Sequence, residues 1–455
     1  MEEKEEHINR IGRDFSFWGL IWFVFPSILT SVAQQLFKTL DDGLFVSRFV
    51  GKTALAGINI LGPLHFLQLA LNNLFAIGGA NISSKRMGEG KQLEAKQVFS
   101  RIVISATVIG GAMGLLFNIF AGPLLSFLGA DDELYGYALT SLRTVFLITP
   151  ISLINVIFNS YFSTAGKPVM GLICSIVNGA FNIIADIVLI VVLKMGVLGA
   201  CLSTTFGEVL IFIIGLIFFC DKRNEIHFVA PEGNIIPTTI DTWKYSLPQF
   251  INTFFFSITT LITNRQLLAY IGNDGIAANS IVGDLRRILT SMFFGYIVAF
   301  GPILSYHFGA KNRPRMRKLM KQNMIFWVGS SVILTGLGLL LRDPMISIFI
   351  KSGENTTEFY NLTYYGLTLE FLGILFFSWN IILSRLLTAV NLQEASTLLA
   401  LIRNIIVRIA CLMILPLIFG WRGIWLASPV CEVLSMIAGM VIYIKTLKYF
   451  GYDTK

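Results

Sequence analysis

Two stretches of this chain, 221 residues apart, follow one pattern of glycines and apolar residues. FVGKTALAGINILG at 49–62 is matched by YIGNDGIAANSIVG at 270–283, aligning Gly51 with Gly272, Ala56 with Ala277 and Gly62 with Gly283. At the same spacing Gly88 falls on Gly309. Farther on, MGVLGACLSTTFGEVL at 195–210 overlays FGWRGIWLASPVCEVL at 419–434 at a spacing of 224, pairing Gly196 with Gly420, Gly199 with Gly423 and Glu208 with Glu432. The drift from 221 to 224 is one small insertion. The chain is therefore two related halves, and what one half folds into the other must fold into as well.

Composition says what kind of half this is. Hydrophobic residues make up 55% of the chain and charged residues 14%, against about 25% charged in a soluble domain. Apolar stretches of the roughly 20 residues needed to cross a bilayer recur twelve times between 16 and 446. The expected fold is an all-α membrane protein of about 12 transmembrane helices. It divides into a tail at 1–15, a first lobe at 16–220, a linker at 221–243, a second lobe at 244–446 and a tail at 447–455. Six spans per half is an even number, so the lobes run parallel, related by a pseudo-two-fold along the membrane normal. Long internal repeats in an apolar chain belong with transporters.

Charge outside the spans gives orientation. The basic segments 86–96 and 311–321 are equivalent under the repeat, and about twenty Lys and Arg lie on their side against about six opposite. Both termini are expected in the cytoplasm. The net charge of +8 belongs to these segments and implies no nucleic acid. MEEKEEHINR at the start lacks the pattern of a cleaved signal. Five scattered cysteines and four isolated histidines support no disulfide, metal or cofactor. No HExxH or Ser–His constellation appears, so no enzyme is expected. The chain reads as a multi-pass protein of the cell inner (cytoplasmic) membrane, a monomer, with the lipid bilayer and small molecules as partners.

Ionisable groups inside the membrane are costly and mark function by default. The first half places Asp41, Asp42, Arg143, Asp186 and Glu208 within spans. Asn178, Asn182 and Asp186 recur every fourth residue and form one polar stripe on an otherwise apolar helix; Asn155 and Asn159 repeat the pattern one span earlier. The 224 spacing sets Ala410 opposite Asp186 and Ile406 opposite Asn182, while Asp42 meets Thr263 or Asn264. The second half carries Asp284, Arg286, Arg287, Glu370, Arg403, Arg408 and Glu432, a mixture able to pair within itself. A bare cation fits the first lobe better. The structural alternatives are an interfacial cap for Asp41 or Asp42, an Asp186–Arg143 pair, and a shared structural role for Glu208 and Glu432.

Taken together, these residues resemble the multidrug and toxic compound extrusion (MATE) family. The likeness rests on twelve spans in two parallel halves, Pro26 in the first helix and Asp42 nine residues before Gly51 in DDGLFVSRFVG. ALAG in the second span and the string NIIADIVLIVVLKMGVLGACLSTTFGEVL from Asn182 add to it. It covers essentially the whole chain. The resemblance implies a secondary antiporter that exports drugs and toxic, often cationic, organic compounds in exchange for inward H+ or Na+ by alternating access. It is of the bacterial and archaeal type with an Asp/Asn/Asp cation site in the first lobe. That site falls on Asp42, Asn182 and Asp186, and the lobe lining on Gln35, Asn155, Asn159, Asn178 and Thr204. Asp41, Glu208, Glu370 and Glu432 are secondary candidates. Pro26, which has no amide hydrogen, offers a place for the first helix to bend. The chain departs from the family at Thr39, where Asn is frequent, and in 247–270, which holds no carboxylate. A flippase for lipid-linked oligosaccharides or lipids, of the same superfamily, is the alternative.

Overall fold

The computed structural model describes residues 10–349 and 357–452, without the side chains of 38–45, 47–48, 52 and 348–349. Every regular element among them is helical. Twelve long helices follow one another: α1 (Phe17–Phe45), α2 (Gly62–Gly88), α3 (Gln92–Ile119), α4 (Asp132–Thr164), α5 (Val169–Val192), α6 (Gly196–Cys220), α7 (Ile235–Tyr270), α8 (Asn273–Gly309), α9 (Arg313–Phe349), α10 (Thr357–Ala389), α11 (Gln393–Phe419) and α12 (Trp421–Thr446). Ten of them contain an apolar stretch long enough to cross a membrane. An eleventh, α2, does so together with the short helix Thr53–Asn59, from which it is bent by 42°. The twelfth, α7, is 36 residues long and carries polar residues along its whole length.

Local chemistry sets the ends. The Ser16 hydroxyl accepts the Gly19 N–H at 3.0 Å to cap α1, and Asp131 accepts the Leu134 N–H at 2.9 Å to cap α4; each satisfies a donor that a helix start leaves orphaned. The basic segment 86–96 is mostly helical. Lys85 and Arg86 occupy the last turn of α2 and Glu94 the first turn of α3, each charge complementing the helix dipole at its end. The linker expected at 221–243 is shorter than the sequence suggests, because α7 already begins at Ile235. Its first turns have partners: Ser246 Oγ accepts the Gly78 N–H at 2.7 Å, Ser105 and Thr239 hydroxyls meet at 2.6 Å, and Trp243 packs edge-on to Phe75.

The duplication is written into the backbone. Positive φ angles occur in matched pairs, at Gly51 and Gly272 (125° and 94°), Gly90 and Lys311 (80° and 52°), Gly166 and Asn391 (70° and 65°), and Gly196 and Gly420 (59° and 58°). At these four positions the two halves share the same unusual backbone conformation.

Contacts group the chain into two compact units, Met1–Ser246 with Val298–Lys311, and Leu247–Ile297 with Asn312–Lys455. In the first, Phe99, Phe158, Tyr161 and Phe219 form an aromatic core with centroids 4.7–6.3 Å apart. The end of α8 joins this unit through a close backbone crossing. A Cβ on Gly88 would strike the Tyr306 carbonyl, and one on Gly309 the Lys85 carbonyl; Tyr306 is the repeat equivalent of Lys85, so the crossing is symmetric. In the second unit Trp327 packs on Trp379 at 4.6 Å and donates to Ser378 Oγ at 2.9 Å, while Tyr296 stacks on Phe326 at 3.8 Å.

Candidate functional site

Two faces of α5 organise the polar interior of the first unit. Gly171, Ser175 and Gly179 recur every fourth residue and admit α1 closely. Gly171 lies beside Asn159 Oδ1, with Thr30 behind it; Ser175 Oγ donates to the Thr30 carbonyl at 3.4 Å; and the Phe37 ring covers Gly179. Ser27 and Ser163 hydroxyls meet at 3.1 Å between α1 and α4. Pro26 sits inside α1, half-buried, and Thr30 Oγ1 donates to its carbonyl at 2.8 Å.

The adjacent face carries the Asn178–Asn182–Asp186 stripe and turns toward α6. Ser203 Oγ contacts both the carbonyl and the side-chain Oδ1 of Asn182, at 3.1 and 2.5 Å. Asn178 Oδ1 points at Gly207, so close that a Cβ there would sit 2.6 Å away. From α4, Asn155 Nδ2 donates to Glu208 twice, to its carbonyl at 2.9 Å and its carboxylate at 2.5 Å. The sequence-predicted Asn155, Asn178, Asn182 and Glu208 thus gather across α4, α5 and α6. Thr204 bonds within its own helix, to the Ala200 carbonyl, and Gln35 is half-buried on α1.

Asp186 lies one turn beyond Asn182 and is 3% exposed. Among the described residues it forms no ion pair, and Arg143, the partner a structural reading would give it, is exposed. Asp41 and Asp42 are in α1, but their side chains lie outside the described residues.

The second unit uses its acids differently. Glu432 is gripped by Arg403 through two nitrogens, Nη2 to Oε1 at 2.7 Å and Nε to Oε2 at 2.9 Å, with both side chains 9% exposed. Asn380 Nδ2 donates to the Glu432 carbonyl at 3.0 Å and its carboxylate at 2.8 Å, reproducing the Asn155–Glu208 bracket of the first copy. Glu370 pairs with Arg286 at 3.5 Å, and that guanidinium lies over the Phe256 and Phe377 rings. Asp284 pairs with Arg287. Each of these three acids has an arginine, whereas the stripe on α5 has amides and hydroxyls. Among the described residues no group of His, Cys, Asp and Glu is arranged to hold a metal.

Two features escaped the sequence reading. Ser203 as the partner of Asn182 was signalled only by its place one turn before Gly207 on α6. The repeated Asn–Glu bracket was signalled by Glu208 and Glu432, but its amide members lie more than fifty residues away in the chain.

The MatE family model matches residues 26–188 and 248–414, one match in each half. The chain belongs to the MatE family. As a member it is a transporter and not an enzyme. Multidrug export protein MepA of Staphylococcus saprophyticus subsp. saprophyticus is 24% identical over 448 residues, covering 96% of each chain. MepA of Staphylococcus aureus (strain NCTC 8325 / PS 47) is 24% identical over 451 residues, again covering 96% of each. Among solved structures, MATE in complex with MaL6 superposes with a TM-score of 0.90 at 17% identity, over 98% of this chain and 99% of that one. An outward-facing multidrug resistance MATE family transporter of the MOP superfamily gives 0.90 at 16% identity over the same shares. The MatE fold runs the whole length of the chain.

Proposed function

We propose that this chain is a multidrug exporter of the cytoplasmic membrane, with both termini in the cytoplasm. It expels organic, often cationic, compounds in exchange for inward H+ or Na+. Asp42, Asn182 and Asp186 bind the ion, and neutralising the acids releases a cationic substrate held in the same unit. The observation that carries this reading is the contrast between copies: Asp186 is buried with no ion-pair partner among the described residues, while Glu370 and Glu432 are each held by an arginine. A carboxylate sealed from water and lacking a fixed cation is costly, and a transported cation removes that cost. Asn182, oriented by Ser203, supplies a further oxygen to a bound ion. The likeness to export proteins over nearly the full chain supports the substrate class. Pro26 gives α1 a point of flexure for the change of access.

The test is substrate uptake into proteoliposomes with a pH gradient and a sodium gradient imposed separately. One gradient, and not a membrane potential alone, is expected to drive wild-type transport, and Asp186→Asn to abolish that drive at normal expression. Unchanged gradient-driven transport by Asp186→Asn would sink the mechanism.

A further inference from the structure

Near the turn between α2 and α3 the first unit holds a cavity of about 290 Å³, whose lining includes Ile82 and Val98 and, from α7, Asp241 and Tyr245. Three cations line it: Lys85 and Arg86 from the end of α2, and Arg101 from α3. The two lining carboxylates already have basic partners: Glu94 pairs with Arg86 at 3.5 Å and with Lys91 at 3.4 Å, and Asp241 with Lys244 at 3.7 Å. Arg86 is engaged a second time, by Glu89 at 3.0 Å.

Lys85 and Arg101 are left without a carboxylate within 4 Å among the described residues. Lys85 Nζ lies 5.8 Å from the Phe308 ring. Arg101 donates through Nη1 to Thr238 Oγ1 at 3.2 Å, while its Nε is fully buried and bonded to nothing. A guanidinium offers five donors in a fixed fork suited to two oxygens of one anion. Arg101 lines the cavity with one donor spent on Thr238 and no carboxylate within 4 Å of it among the described residues, which leaves its fork open to the oxygens of an anion. Nor does the fold require these charges. At the 221 spacing the second copy has Tyr306 in place of Lys85 and Gln322 in place of Arg101, yet it makes the same turn.

We infer that this cavity binds the phosphate of an anionic phospholipid headgroup or of a soluble phosphate ester, with Arg101 and Lys85 as its ligands. The setting suits a lipid: the cavity lies at the ends of two membrane-length helices, where basic pockets between helices meet anionic headgroups. Ile82 and Val98 offer an apolar wall to the glycerol carbons. This site is separate from the α5 stripe and does not depend on the coupling ion.

Native mass spectrometry of the full chain in a non-ionic detergent tests it, with phosphatidylglycerol and glycerol phosphate as probes. Saturable binding of phosphatidylglycerol is expected, weakened at least about tenfold by Arg101→Gln, the loss of one charge-assisted contact. Lys85→Gln weakens it less, and Arg223→Gln, on the exposed linker, leaves it unchanged. Glycerol phosphate binding as tightly, with the same dependence on Arg101, supports the site and assigns it to a soluble ester. Should Arg101→Gln not fold, Arg101→Lys, which keeps charge but not the fork, and Lys85→Gln give the same reading. Wild-type affinity in Arg101→Gln and Lys85→Gln, or no saturable binding of either probe, overturns it.

Discussion

Arg403→Met is the substitution that most sharply separates a fold-holding acid from a coupling one. Methionine keeps much of the apolar stem and removes the fork that grips Glu432. The carboxylate then stays 9% exposed with Asn380 as its remaining described partner. Breaking a buried pair from one side costs about 3–5 kcal/mol. The first copy argues for the lower end, because Glu208 is accommodated with an asparagine in the same bracket and no arginine. For a unit of this size about 3 kcal/mol corresponds to a fall in melting temperature of about 6–12 °C. Adding Glu432→Gln removes the stranded charge and is expected to recover most of that loss, since replacing both partners of a buried pair is often close to neutral. The assay is thermal unfolding of the purified protein in detergent, followed by gradient-driven export in proteoliposomes. The double variant should still couple export to its ion. A single variant as stable as wild type, or a double variant no better than the single, refutes the structural role. Loss of coupling in a stable double variant would move the ion site into the second unit.

Three further outcomes follow from the same geometry. Gly88→Val drives a side chain into the Tyr306 carbonyl, and Gly309→Val into that of Lys85; each is expected to cost about 1–3 kcal/mol, by similar amounts, read as matched drops in melting temperature. Ser203→Ala frees both oxygens of Asn182 and should cost about 1 kcal/mol. If Asn182 ligates the ion, Ser203→Ala also raises the ion concentration needed for half-maximal transport, measured against a titrated gradient. Tyr161→Phe removes the buried 2.9 Å bond to Ser83 and is expected to destabilise by about 0.5–1.5 kcal/mol with the ion dependence of transport unchanged.

How much was legible beforehand depends on how local the cause is. The duplicated glycine turns were visible as strings, and they return as matched φ angles. The stripe Asn178, Asn182 and Asp186 was visible because helical spacing is fixed. That Glu370 meets Arg286, and Glu432 meets Arg403, was not. The sequence supplied several arginines for two acids and no means of choosing among them. The early start of α7 was hidden as well, since Thr238–Trp243 reads as polar linker until its contacts with α2 and α3 appear.

The sequence by itself determined a membrane protein of two like halves, twelve spans and a first half with carboxylates set among amides where the second half carries arginines. These follow from hydrophobicity, repetition and the fixed rise of a helix, all read along one strand of chain. Tertiary structure alone decided which acids are spoken for. Each residue turns a helix by about 100°, so one step of rotation decides whether Glu432 faces Arg403 or lipid. On α12 that angle is set by close approaches such as Trp425 on Gly366 and Leu383 on Gly439, between residues far apart in the chain.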